Sequence, residues 1–169
     1  MRIGQAMIPE FDMEMAGTRK VLERVPDSLL DWRIHEKSNT VGWVANHLAD
    51  IPKWTGMAIE HESFDVDPVE GKPYRTPKET TTAVILATFD KNVADARALL
   101  ESVTDEVLLS PWSLLKRGEV LMTMPRLAVV RTWVLNHAIH HRGHLCVYLR
   151  VNNIPVPGLY GPSADDTGE

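Results

Sequence analysis

A chain of 169 residues suits one domain, because a single core stops growing well above this length. With 44% hydrophobic and 24% charged residues it has the balance of a soluble globular protein, which excludes a disordered or membrane-spanning chain. The formal net charge of −5, from 18 basic and 23 acidic residues, offers no broad positive field for phosphates, so nucleic acid is not an expected partner.

A single domain over residues 1–169 is therefore expected. Cys146 is the only cysteine, which excludes an intramolecular disulfide. With no leader-like pattern over Met1 to Phe11, it points to the cytoplasm. No apolar run approaches the roughly 20 residues needed to cross a bilayer, so no membrane association is expected.

In chain order, Met7, Phe11, Met15, Val21 and Leu22 recur at helical spacing and predict a first helix over about Gln5 to Arg24, stopped by Pro26. A short turn and linker follow, and Thr40 is placed to cap a second helix over about Val41 to Glu62. Pro52 interrupts that helix. It cannot donate to the Leu48 carbonyl, so a kink or break is expected after His47.

Three prolines and a glycine make Ser63 to Pro77 a loop. A third helix is predicted from Pro77 or Lys78 to about Val103, with a further turn at Asp105 to Leu109. Ser110 to Met124, with Lys116-Arg117-Gly118-Glu119 at its centre, reads as a hairpin or long crossover. Pro125 opens the last helix, carried to about Val151, and Asn152 to Glu169 reads as coil that packs on the bundle. The fold class is all-α, a four-helix bundle.

Four of the seven histidines fall between His137 and His144. A helix advances about 100° per residue, so His137 and His141 project roughly 40° apart, one turn up, and their rings can converge on one ion. His140 and His144 share that spacing. The apolar stripe through Leu127, Val130, Val134, Ala138, Leu145 and Tyr148 takes in His141 and borders His137, so this pair faces the interior better.

On the second helix His47 sits among Val44, Leu48, Ile51 and Trp54, where a buried imidazole must satisfy both ring nitrogens. Taken singly, each histidine reads as a core residue bonded to a carbonyl or as a surface polar residue. An inward pair with a third histidine on another helix reads as a metal centre.

The run Asn136-His137-Ala138-Ile139-His140-His141-Arg142-Gly143-His144-Leu145 continues through Tyr148-Leu149-Arg150 to Val156-Pro157 and Tyr160-Gly161-Pro162-Ser163-Ala164-Asp165. It resembles the C-terminal signature of the DinB superfamily, the DinB/YfiT-like metalloenzyme group and not the DNA polymerase of similar name. Gly42-Trp43-Val44-Ala45-Asn46-His47-Leu48-Ala49-Asp50 is similar to the other histidine-bearing segment of that family. Thr123-Met124-Pro125-Arg126 through Arg131-Thr132-Trp133 fits as well.

The resemblance implies a four-helix bundle, commonly a homodimer, with a divalent ion held by one histidine of the second helix and two of the last. At matching positions these are His47, His137 and His141, the three that periodicity also selects. Family members usually carry glutamine where this chain has His144, so His144 is expected beside the ion or facing substrate.

Three neutral imidazoles leave the ion its full charge and an open position, and they suit zinc and nickel alike. The expected activity is that of a metal-dependent hydrolase, or of a transferase using a low-molecular-weight thiol as the resemblance implies, on a small-molecule substrate. The alternative is a non-catalytic metal-binding or stress-response protein with a structural ion. Asp50, three residues past His47, reads as a solvated carboxylate, or as the group that orients a ligand histidine or takes a proton. Trp43, Trp54 and Trp133 are candidates for pocket walls, with at least two of the three expected in the core, and Cys146 is expected as a small buried hydrophobe.

Overall fold

The computed structural model describes residues 1–167. Its arms are α1 (Ile3–Leu22), α2 (Val41–Asp50) continued by α3 (Trp54–Glu60), α4 (Thr82–Ser102), and a last arm made of α6 (Arg126–Val129), a π-helical segment (Val130–Asn136) and α7 (His137–Val151). Between α4 and the last arm lies a short helix, α5 (Asp105–Leu109). The four arms enclose a core in which Phe11, Leu48, Phe89, Leu100 and Leu145 are fully buried. This is the four-helix bundle that the periodicity predicts. No helix among the described residues is long and apolar enough to cross a membrane.

The break at Pro52 is a turn of 3₁₀ helix, Ile51–Lys53, between α2 and α3. Proline forbids one α-helical hydrogen bond there, and the Ala49 carbonyl beside the break accepts instead from Asn92 Nδ2 of α4 at 2.8 Å. The break therefore re-aims α3, and the Ala49 carbonyl at its edge keeps a partner across the bundle.

Three features differ from the sequence expectation. The third long helix starts at Thr82, capped by the Thr81 hydroxyl, and not at Pro77. Glu79 is held extended on α2, its N–H donating to Asn46 Oδ1 at 2.9 Å and its carbonyl accepting from Asn46 Nδ2 at 3.0 Å. A helix begun at Pro77 would surrender both bonds.

The segment read as pure loop contributes strand β1 (Ser63–Asp65), which pairs parallel with β2 (Pro111–Lys116); β2 pairs antiparallel with β3 (Glu119–Pro125). The expected hairpin turns at Arg117 and Gly118, both at positive φ as a type I′ turn requires. Asp65 accepts from the amide of Gly118 at 2.8 Å and that of Arg117 at 3.1 Å, tying β1 to the turn. A small sheet is thus added to the all-α expectation.

The tail read as coil ends in a short helix, α8 (Ala164–Thr167), and it does pack on the bundle. Asp165 pairs with Arg150, and Tyr160 reaches Glu14 of α1. Residues 168 and 169 of that expectation lie outside the described residues.

Arg126 connects the sheet to the bundle at the start of the last arm. Its guanidinium donates to the Ala58 carbonyl at 2.6 Å and to that of His61, capping the C-terminal end of α3. This places α3 between the sheet and the last arm, next to the histidines.

Candidate metal centre

His47 lies in the last turn of α2, one turn ahead of the break, and is only 5% exposed. His137 opens α7 directly after the π-helical segment, and His141 follows one turn later on the same face. In the π segment the hydrogen bonds run i→i+5, which shifts the phase of the helix at the point where the histidines begin.

The three Nε2 atoms turn toward one another. That of His47 is 3.2 Å from Nε2 of His137, and that of His141 is 2.8 Å from the same atom. Four ligands around zinc at about 2.0–2.1 Å stand about 3.3 Å apart, so these spacings approach those of a coordination shell. One ring nitrogen has a single in-plane site, either a proton or a lone pair. Nε2 of His137 therefore cannot bond linearly to both neighbours, whereas a shared cation serves all three lone pairs.

The outer sides of the rings support that arrangement. His47 Nδ1 meets Thr76 Oγ1 at 3.1 Å, and the His137 ring is hydrogen-bonded to the Trp133 backbone one turn back. These bonds hold ring orientation in the way that partners of metal-bound imidazoles do. Nδ1 of His141 is buried and meets no hydrogen-bond partner among the described residues. Trp43 stacks on His47 with centroids 4.5 Å apart, and Trp54 packs edge-on against His47 at 5.4 Å and His137 at 5.3 Å.

Burial lowers the basicity of all three, followed by repulsion from neighbouring histidines: His137 acts on His47, His140 on His137, and His47 and His137 on His141. His47 falls from its ordinary 6.5 to about 4 and His141 to about 3, while His137 is also lowered. All three are therefore neutral near pH 7, the form that binds a metal.

The sign for stability follows from the same shifts. Below about 6.5 the unfolded chain binds protons that the folded, metal-free protein refuses, so acid favours unfolding until the pH passes about 4 for His47 and about 3 for His141. The urea midpoint of metal-free protein should fall between pH 7 and pH 4, and less steeply in a His47→Gln/His141→Gln double variant. A variant as acid-sensitive as the parent would contradict this.

The expectation for Asp50 is corrected. Asp50 is neither solvated nor bonded to any of the three histidines. It is 5% exposed and accepts from the Tyr74 hydroxyl at 2.6 Å and from Trp54 Nε1 at 3.1 Å. One helical turn beyond His47, it is turned toward α3 and the segment after β1, where it fixes the Trp54 wall.

His144 does not join the inner group. It is exposed and packs beside His140, ring centroids 4.3 Å apart, on the outer face of α7. Burial slightly favours its neutral form, with repulsion from His140 adding to it. His140, His141 and His144 form a second histidine group there.

The tryptophans expected mainly in the core are only partly buried, and all three border the site or its adjoining cavity. Trp54 and Met57 of α3 line that cavity from one side, and Trp112 and Leu114 of β2, Tyr74 and Trp133 from the others. Cys146 is likewise half-buried. Thr76 and Tyr74 escaped the sequence reading, because an irregular segment carries no periodicity from which their direction can be read.

A helical bundle with three imidazoles from two arms converging at a break defines the class of protein. The chain belongs to the DinB superfamily, whose sequence model matches residues 10–145. It is 25% identical over 161 residues to the uncharacterized protein YrdA of Bacillus subtilis, covering 94% of this chain and 89% of that one.

A DinB-like protein from Bacillus cereus superposes with a TM-score of 0.71 at 28% identity, over 92% of this chain and 97% of that one. YfiT from Bacillus subtilis, described as a probable metal-dependent hydrolase with an unusual four-helix bundle topology, superposes at 0.64 with 20% identity, over 89% and 87%.

Proposed function

We propose that His47, His137 and His141 hold a divalent ion and that the protein is a metal-dependent hydrolase acting on a small molecule. The observation that carries this is the meeting of three Nε2 atoms at 2.8–3.2 Å around His137, on rings that burial keeps neutral. The description of YfiT, which shares the fold, supports the same reading.

A divalent ion with three imidazole ligands supplies Lewis-acid chemistry: it polarises a carbonyl or phosphoryl group and makes water nucleophilic near neutral pH. The chain's own residues prepare the place for it. Thr76 holds the His47 ring, Trp43 and Trp54 keep water from its faces, and Asp50 anchors Trp54 through the indole N–H. His144 lies on the outer face and does not supply a fourth inward nitrogen, which favours an open position over the closed shell of a structural ion. An open surface depression lined by Thr132, Trp133, Asn136, His137 and His140 gives access from the His137 side.

The test is hydrolysis of a panel of activated esters, lactones and amides by chelated protein, before and after loading with zinc or nickel. Turnover should depend on the ion and vanish in His47→Ala. Complete ion loading with no turnover on any substrate would favour the non-catalytic alternative.

A further inference from the structure

Beside the histidine centre, the cavity between α3 and the sheet has a lining that is almost entirely hydrocarbon and aromatic, completed by Phe64 of β1 and Val66. Trp54 is common to both places, since its ring lines the cavity and also packs against His47 and His137. Trp133 likewise lines both the cavity and the depression that reaches His137.

Three polar tips in this wall are already engaged. The Tyr74 hydroxyl and the Trp54 indole both donate to Asp50, and the Trp112 indole donates to the Met57 carbonyl at 3.1 Å. A hydroxyl or amide entering the space would give up its bonds to water and find these donors taken, at a cost that a hydrocarbon does not incur. The cavity measures about 60 Å³, less than half of the roughly 150 Å³ that accommodates a benzene ring.

We infer that this cavity is a specificity subsite for a short, unfunctionalised hydrocarbon tail, two or three carbons long, on the small molecule whose polar head engages the three-histidine centre. The inference rests on the metal reading above. It narrows the substrate class to compounds with a metal-binding, hydrolysable head and a small aliphatic substituent. Sugars and nucleotides fall outside that class, and so do molecules with a polar group at the tail end.

The probes are aliphatic hydroxamates, which carry a metal-binding head on a tail of chosen length, titrated calorimetrically into the zinc-loaded chain. Acetohydroxamate should bind through its head alone. Each of the next two or three methylenes should tighten binding about fourfold, as burial of about 0.8 kcal/mol per methylene implies, and longer tails should add nothing further. A terminal hydroxyl on the tail should remove the gain.

Val66→Phe should cancel the tail gain while acetohydroxamate binds as in the parent, which also certifies the fold. Met57→Ala should move the plateau to longer tails. Affinities that do not change along the series, or a tail gain that persists in Val66→Phe, would overturn the subsite and leave the metal centre standing. A chain that neither retains zinc nor binds acetohydroxamate would remove the metal reading itself, and the subsite with it.

Discussion

Purified His137→Ala protein should contain no stoichiometric metal, whereas His140→Ala should retain the parent amount. Nε2 of His137 is the atom that both other inward nitrogens approach, at 3.2 and 2.8 Å, so its removal leaves two ligands with no third between them. Loss of an outer hydrogen-bond partner of a metal ligand weakens binding about 10–100-fold, and loss of a ligand should exceed that. His140 is exposed and outside the inward group, so its loss leaves those three nitrogens in place.

Elemental analysis of the purified variants measures this directly. Parent-level metal in His137→Ala would refute the centre. Both variants should keep their helical circular dichroism, because a chain of this length buries enough apolar surface to fold without an ion.

The second large effect concerns stability. Arg142 of α7 and Glu14 of α1 form an ion pair whose side chains are 2% and 6% exposed, with the guanidinium 2.7 Å from the carboxylate. Arg142 also donates to the Glu14 carbonyl at 3.0 Å, and the Tyr160 hydroxyl donates to the Glu14 carboxylate at 2.8 Å, so the pair carries the C-terminal tail with it.

Glu14→Ala should destabilise the fold by about 3–5 kcal/mol, because a buried guanidinium then loses its countercharge. At about 2–4 °C per kcal/mol for a protein of this size, the thermal midpoint should drop by roughly 6–20 °C. Replacing both partners together, as in Glu14→Leu/Arg142→Met, should restore most of the loss, since an apolar pair of similar volume needs no desolvated charge. A midpoint within about 2 °C of the parent for Glu14→Ala would show that the pair is not a determinant of stability.

Much of the fold follows from local signals. The apolar spacing from Met7 to Leu22, the stop at Pro26, the Thr40 cap and the break at Pro52 are each written within a few residues, and the helices they predict are present. The inward direction of His47, His137 and His141 is equally local, because a helix converts sequence spacing into angle.

What surrounds these histidines is not local. Thr76 reaches His47 because Asn46 pins the Glu79 backbone to α2, a tie across 33 positions that no spacing rule contains. Asp50 lies on the same helix as His47, yet its carboxylate is claimed by Tyr74 from the segment after β1 and by an indole beyond the break. The cavity exists because Trp112 and Leu114 of the hairpin close over Trp54 and Met57.

Periodicity thus carries the bundle and the convergence of the imidazoles, since both depend on turns of helix that repeat every few residues. The supports of the rings and the shape of the adjoining cavity come from irregular segments. Their direction is set by hydrogen bonds and packing between residues far apart in the chain, which exist only once the arms have docked.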